Sequence, residues 1–362
     1  MTDGERIVYE VNPDLPARPA SVVKVLTAIV AIDALGPEHR MTTTVRAAPP
    51  IDGVVSGDLW LVGGGDAVLG TEAWAATTGR TIHTSLDALA DRVVAAGVRV
   101  VEGGVVGDES RYDRVRSVSS WPRRLVGDGE SGPLSALSVN DGFQVWGHPG
   151  VPFDDPAAGA AALFAELLQA RGVEVRGGGH SGPAPDAAPI ASIESPPLRD
   201  IVDVMLRDSD NETAELLFKE LGRLGGYGGS TAGGEAFIRR QLTSLGLAMD
   251  GSRVADGSGL SNDNRLTCRL LTATLSRRGA AIAKGLAVAG QSGTLRTRFR
   301  GTELEGRLRA KTGSLDGVSA LAGFVDLADG RRLTFALLVN GLPITNSGRS
   351  LQDEFASALA RA

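Results

Sequence analysis

The chain has 362 residues, a formal net charge of −6, 42% hydrophobic and 22% charged residues, and one cysteine, Cys268. One cysteine excludes a disulfide scaffold, an acidic balance without a Lys/Arg block argues against a nucleic-acid binder, and this apolar content excludes a disordered chain. The 48 glycines are well above an average share of about 7%, and at about 150 residues per domain the length argues for two domains.

From the N-terminus, MTDGERIVYEVNP has neither the basic region nor the apolar core of a signal peptide. Residues 5–11, ERIVYEV, predict a short strand, and a loop with three prolines follows. Residues 21–35 predict a helix that is apolar almost all round and therefore buried on most sides; Gly36 and Pro37 stop it. This is the longest apolar stretch, and Lys24 and Asp33 interrupt it, so no run reaches the roughly 18 residues of a membrane span.

The texture then changes over about 42–199. Short β-like runs (54–55, 59–62, 98–101 and 105–106) alternate with glycine-rich turns such as Gly63-Gly64-Gly65. Two helices interrupt them, about 85–96 with Leu86, Leu89, Val93 and Val94 on one face, and about 156–172 with Leu163, Leu167 and Leu168. From Pro196 helices return, at 197–206 and 212–222 around the polar break Asp208–Asn211, then at 232–245 and 266–278. Cys268 falls in the last of these among Leu266, Leu270 and Leu271, which predicts a buried, inert thiol. Strands follow at 305–312, 317–326 and 331–340, the last two joined by the hairpin turn Asp329-Gly330, and an amphipathic helix at 349–361 closes the chain.

Three short motifs carry chemistry. In Ser21-Val-Val-Lys24 the serine and lysine share one helix face. A serine hydroxyl needs an adjacent base, and a lysine amine on so apolar a helix is desolvated enough to act as one. In Ser209-Asp210-Asn211, Ser209 would relay a proton near Lys24 and the Ser21 oxygen, and Asn211 would hold the Lys24 amine and a substrate amide. In Lys311-Thr312-Gly313-Ser314 at a strand end, Lys311 would add positive charge and Thr312 would meet a substrate carboxylate. Gly313 would allow close approach of the substrate backbone, and the Ser314 and Ser21 N–H groups would form an oxyanion hole. Taken singly, each motif also reads as ordinary structure: a serine cap, an Asp/Asn helix cap, a surface strand end.

In this order and context the motifs resemble the S-x-x-K, S-D-N and K-T-G set of penicillin-binding proteins and class A β-lactamases. The long separation of Ser21 from Ser209 leaves room for an inserted domain, unlike class A β-lactamases. The chain is similar to the penicillin-binding protein 4 (DacB-type, peptidase S13) family of D-alanyl-D-alanine carboxypeptidases/endopeptidases. Besides the three motifs, the runs Leu59–Asp66, Gly107–Tyr112, Gly132–Leu137 and Asp256–Ser261 carry the likeness.

The resemblance implies an α+β fold: a serine β-lactamase/transpeptidase-like domain, with an antiparallel sheet flanked by helices, holding a large inserted α+β domain of short strands. The expected division is 1–43 and 197–362 for the catalytic domain and 44–196 for the insert, the latter shorter than in relatives with a third domain. It further implies a serine DD-peptidase. Ser21 attacks the penultimate D-Ala carbonyl of a peptidoglycan stem peptide ending in D-Ala-D-Ala, with Lys24 as base and Ser209 passing the proton to the leaving amine. Asn211 and Lys311 complete the catalytic set, and Thr312, Gly313 and Ser314 bind substrate. β-Lactam antibiotics would acylate Ser21. No metal or organic cofactor is expected, and His39, His83, His148 and His180 show no ligand-like spacing. The family acts in the cell envelope, so the missing export signal suggests a chain that starts after the family's usual first strand. Asn262 stands where the family often has an arginine able to meet a substrate carboxylate. The alternatives are a β-lactamase, for which no motif supplies a deacylating carboxylate, and a non-catalytic cell-wall binding protein, against which the intact motif residues argue.

Overall fold

The computed structural model describes residues 1–4, 6–147, 150–341 and 345–360. Its trunk is helix α1 (Lys24–Leu35), of which the first nine residues are buried. A helix apolar all round must be surrounded, and α1 is. Val25, Leu26, Ile29 and their neighbours form one core with four later helices and one face of a sheet. The predicted helix start at residue 21 shifts, because Ala20–Val23 forms a 3₁₀ turn and the α-helix begins at Lys24. The predicted strand over 5–11 also shrinks. Thr2–Asp3 and Arg6–Ile7 pair with each other at the sheet edge, while Glu5 lies outside the described residues. Beyond Ile7 the described chain adds no further strand residues: Val8 N donates to the Met1 carbonyl at 3.0 Å and the Met1 amine donates to the Tyr9 carbonyl at 2.9 Å, while the Tyr9 and Val11 side chains stay exposed.

After α1 the chain leaves this core along Thr42–Arg46 and returns along Pro189–Glu194, and these two strands pair antiparallel from Thr42↔Glu194 onward. The β-branched Thr-Thr-Thr-Val run suits a pleated surface, and the pairing brings the outgoing and returning chain together. The pair forms one side of a five-stranded sheet in which Leu59–Val62, Val105–Asp108 and Gly179–Ser181 run parallel. The helices of this segment are α2 (Glu72–Thr78), α3 (Leu86–Ala95), α4 (Arg123–Gly127) and α5 (Pro156–Gln169). Side-chain caps start α2, α3 and α5 at Thr71, Ser85 and Asp155. Leu59, Leu61 and Val105 meet Leu86, Leu89 and Val93 of α3 and Phe164 and Leu168 of α5 in a separate core. Leu163, Leu167 and Val94, expected on the inner faces, are only half-buried.

The remaining helices are α6 (Leu198–Asp208), α7 (Asn211–Leu224), α8 (Thr231–Ser244), α9 (Cys268–Arg278) and α10 (Thr345–Leu359). Residue 361 of the predicted last helix lies outside the described residues. The antiparallel sheet is built on Leu308–Leu315, Val318–Asp326 and Arg332–Asn340. Alternation along its middle strand serves two faces. Ala320, Ala322 and Phe324 meet the α1 core, while Leu321 and Val325 meet Phe335, Ala356 and Leu359 on the other side. Gly330 takes a positive φ of 88° in the Asp329-Gly330 turn. Cys268 is half-buried at the start of α9, and burial pushes its thiol pKa up. A small fourth cluster joins Tyr112, Trp121 and Leu134 to Leu216 of α7 and Leu260.

Phe164 is fully buried. Phe164→Ala is expected to lower the unfolding free energy by about 3–5 kcal/mol, seen as an earlier urea transition. An unchanged transition would mean that the second core is not built around α5.

Candidate active site

Ser21 lies in the 3₁₀ turn. Three residues complete such a turn, so positions i and i+3 eclipse, and the spacing Ser21-x-x-Lys24 places the two side chains together. Lys24 Nζ donates to Ser21 Oγ at 3.0 Å, to Asn211 Oδ1 at 2.7 Å and to the Ser258 carbonyl at 2.6 Å. The lysine is fully buried. Burial pulls its pKa down to about 8, against the opposing charges of Asp256, Glu215, Asp210 and Glu130. Three acceptors match in number the three donors of an ammonium. Losing a proton leaves a neutral amine beside the serine hydroxyl.

The Ser258 carbonyl is aimed by a loop that Asp256 ties together. Its carboxylate accepts from Trp121 Nε1 (2.8 Å), Gly259 N (2.8 Å), Ser261 N (2.7 Å) and Asn264 Nδ2 (2.7 Å). Gly259 has φ +93°, and a Cβ there would stand 2.1 Å from the Ala20 carbonyl oxygen. A glycine is therefore required where the loop touches the turn that carries Ser21.

The polar break between α6 and α7 divides its work. Asp210 takes the cap, accepting from Thr213 N at 3.0 Å, which leaves its two neighbours free for the cleft. Asn211 accepts from Lys24 and donates through Nδ2 to the Glu130 carbonyl at 2.6 Å. Ser209 ends α6 in the left-handed region, with φ +67°. Its hydroxyl accepts from Lys311 Nζ at 2.8 Å, so its hydrogen bond goes to the second lysine rather than to Lys24. Lys311 is also fully buried. Burial first, and the charge of Lys24 second, push its pKa well below the usual lysine range.

On the same strand Thr312 Oγ1 meets Thr294 Oγ1 at 2.8 Å. A Cβ on Gly313 would lie 2.5 Å from the Pro19 carbonyl oxygen, so this strand presses against the Ser21 turn. Ser314 is exposed at the cleft end. Asn262 accepts from Arg18 Nη1 at 3.2 Å. Ser21, Lys24 and Asn211 are thus joined by hydrogen bonds, and Ser209 with Lys311 forms a second pair beside them, carried on the same 209–211 loop and on the strand 308–315. Sequence reasoning missed Ser258, Glu130 and Thr294. The first two act through backbone carbonyls, which leave no side-chain signature, and Thr294 had no motif pointing to it. A pocket of about 330 Å³ adjoins Ser209 and Asn211, lined also by Glu130, Arg80, Trp146 and Arg207. Among the described residues no group of three or more His, Cys, Asp and Glu is placed to hold a metal ion. His39 and His83 are half-buried and His180 is exposed, while His148 lies outside the described residues.

Residues 1–146 and 149–362 match the profile of the D-Ala-D-Ala carboxypeptidase 3 (S13) family. The chain belongs to this family. Carboxypeptidase DacB of Mycolicibacterium smegmatis is 34% identical over 97% of this chain and 77% of its own length. A D-alanyl-D-alanine carboxypeptidase of an Actinomadura species is 31% identical over 89% and 73%. Among solved structures, penicillin binding protein 4 (dacB) from Haemophilus influenzae superposes with a TM-score of 0.83 at 21% identity, over 98% of this chain and 94% of that one, a likeness of fold. The S13 chain is accordingly a serine-type carboxypeptidase, a hydrolase, on the expected α+β fold.

Gly259→Ala forces a Cβ into the turn that carries Ser21 and asks alanine to hold a positive φ. It is expected to destabilise by more than about 1 kcal/mol, read as a lower melting temperature. A variant as stable as wild type would mean that the loop yields without cost.

Proposed function

We propose that this S13 chain is a serine DD-peptidase in which Ser21 opens peptidoglycan stem peptides ending in D-Ala-D-Ala. The observation that carries this is the fully buried Lys24 amine, 3.0 Å from Ser21 Oγ and held by Asn211. In acylation the Ser21 Oγ–carbonyl carbon bond forms as its proton passes to the neutral Lys24 amine. The tetrahedral oxyanion rests on the Ser21 and Ser314 N–H groups. Collapse breaks the C–N bond, and Ser209, backed by Lys311, delivers a proton to the departing D-Ala amine. Thr312 holds the terminal carboxylate and Gly313 admits the peptide backbone. Water then hydrolyses the ester on Ser21, and the same groups return the proton.

A β-lactam presents the same acyl carbon and would leave its ester on Ser21. A structure of the Haemophilus influenzae relative is described as complexed with a novel beta-lactam. The catalytic unit comprises 1–43 and 197–362 with 44–196 inserted, in keeping with the separate cores around α1 and α5. The place of action is the cell envelope, where the substrate is. No helix among the described residues is long and apolar enough to cross a membrane.

Labelling with fluorescent penicillin, followed by intact-mass measurement over time, tests the assignment. A long-lived adduct on Ser21 that Ser21→Ala abolishes is expected. Rapid turnover would indicate a β-lactamase, and no adduct a non-catalytic protein. Lys24→Met is expected to slow acylation by about 10²–10⁴-fold. The reactive form of Lys24 is the neutral amine, so the acylation rate should rise with pH and level off above about 8. A rate that falls across the same range would remove Lys24 as the base.

A further inference from the structure

A residue of the inserted segment reaches the Ser209–Asn211 loop. Arg80 follows α2 and lies in the floor of the pocket beside the cleft. Its Nη1 donates to Asp210 Oδ2 at 2.7 Å, and its Nη2 donates to Asp141 Oδ2. The guanidinium carbon lies 5.0 Å from the centre of the Trp74 ring. All three charged side chains are largely buried. The Asp210 carboxyl is held below its usual range by Arg80, against burial, while burial and the charge of Asp210 push Asp141 up to about 7.

Both carboxylates sit on turns with unfavourable backbone. Ser209, just before Asp210, is a non-glycine residue at φ +67°. Asn140 and Asp141 are at +58° and +54°. Such conformations persist only where surrounding contacts over-determine them. Asn and Asp take up this region more readily than most residues, and Asn140 also accepts from Thr71 N at 2.9 Å, but Ser209 has no such ease, and one planar guanidinium reaches both turns.

We propose that Arg80 is a positioning residue for acyl transfer: by bridging Asp141 to Asp210 it fixes the loop so that Ser209 meets Lys311 and Asn211 meets Lys24. This rests on the role given above to that loop. The inserted segment is then part of the working site rather than an appendage. A lysine would reach one carboxylate at a time and hold the loop less well. A displacement of the loop of about 1 Å can cost on the order of 10²-fold in rate.

The test compares penicillin acylation by wild type, Arg80→Met and Arg80→Lys, separating the acylation rate constant from the dissociation constant of the preceding non-covalent complex. Arg80→Met should lose about 10²-fold in the rate constant with little change in dissociation constant, and Arg80→Lys should recover part of it. In a Ser209→Ala background the further loss from Arg80→Met should be smaller than in wild type, because part of the Arg80 effect runs through Ser209. If Arg80→Met does not fold, Asp210→Asn, which keeps a competent cap, gives the same reading. Wild-type labelling with unchanged acylation in these variants, or an undiminished loss in the Ser209→Ala background, would overturn the proposal. Wild type that does not label at all would instead overturn the function on which it rests.

Discussion

The constraint on which the rest depends is a lysine amine placed wholly inside the protein. An ammonium without partners in such a setting costs far more than folding can offset. Lys24 therefore has to be met on every side by acceptors, and these come from three separate parts of the chain: the adjoining turn, the α7 start and the 256–261 loop. Each partner is itself fixed by something further out. Asn211 is anchored to the Glu130 carbonyl, and Ser258 by the Asp256 web. The same burial that makes Lys24 hard to accommodate lowers its pKa toward the range where a base works near neutral pH.

Close backbone contact is the second consequence. Ser21, Gly259 and Gly313 belong to three segments that touch within van der Waals limits, and a side chain on either glycine would collide with the Pro19–Ala20 carbonyls. The cleft is thus walled by main chain on the Ser21 side and by side chains on the Ser209 side. That division suits a reaction that stabilises an oxyanion on one side and moves a proton on the other.

Much of this was legible because local chemistry and tertiary role agree. An all-apolar helix with one lysine, a polar break between two amphipathic helices and a Lys-Thr-Gly strand end each predict their own placement, and together they identify the cluster. The boundaries of α6 to α9 and of the three long strands lie within a few residues of those expected. What was not legible was decided by tertiary pairing rather than by local signal. Thr42–Arg46 and Pro189–Glu194 form strands because each pairs with a partner far along the chain. The expected strand at 5–11 had β-forming residues, but its ladder with Thr2–Asp3 covers only Arg6–Ile7. Arg80 is one of many arginines in the sequence, and only the folded chain brings it between two carboxylates 61 and 130 residues away.

The two buried lysines also constrain each other. Each lies within the field of the other, and the charge of Lys24 is one reason why Lys311 has its pKa depressed. Loss of a proton from one amine therefore favours retention of a proton by the other. Ser209 accepts its hydrogen bond from Lys311, and Ser21 accepts its own from Lys24, so each hydroxyl has its own amine. With two amines sharing this charge, a proton taken from the Ser21 hydroxyl at one can be matched by a proton released through Ser209 at the other, without a second full charge accumulating in the interior. A single buried lysine serving both hydroxyls would instead have to gain the proton and then lose it again before the leaving group could depart.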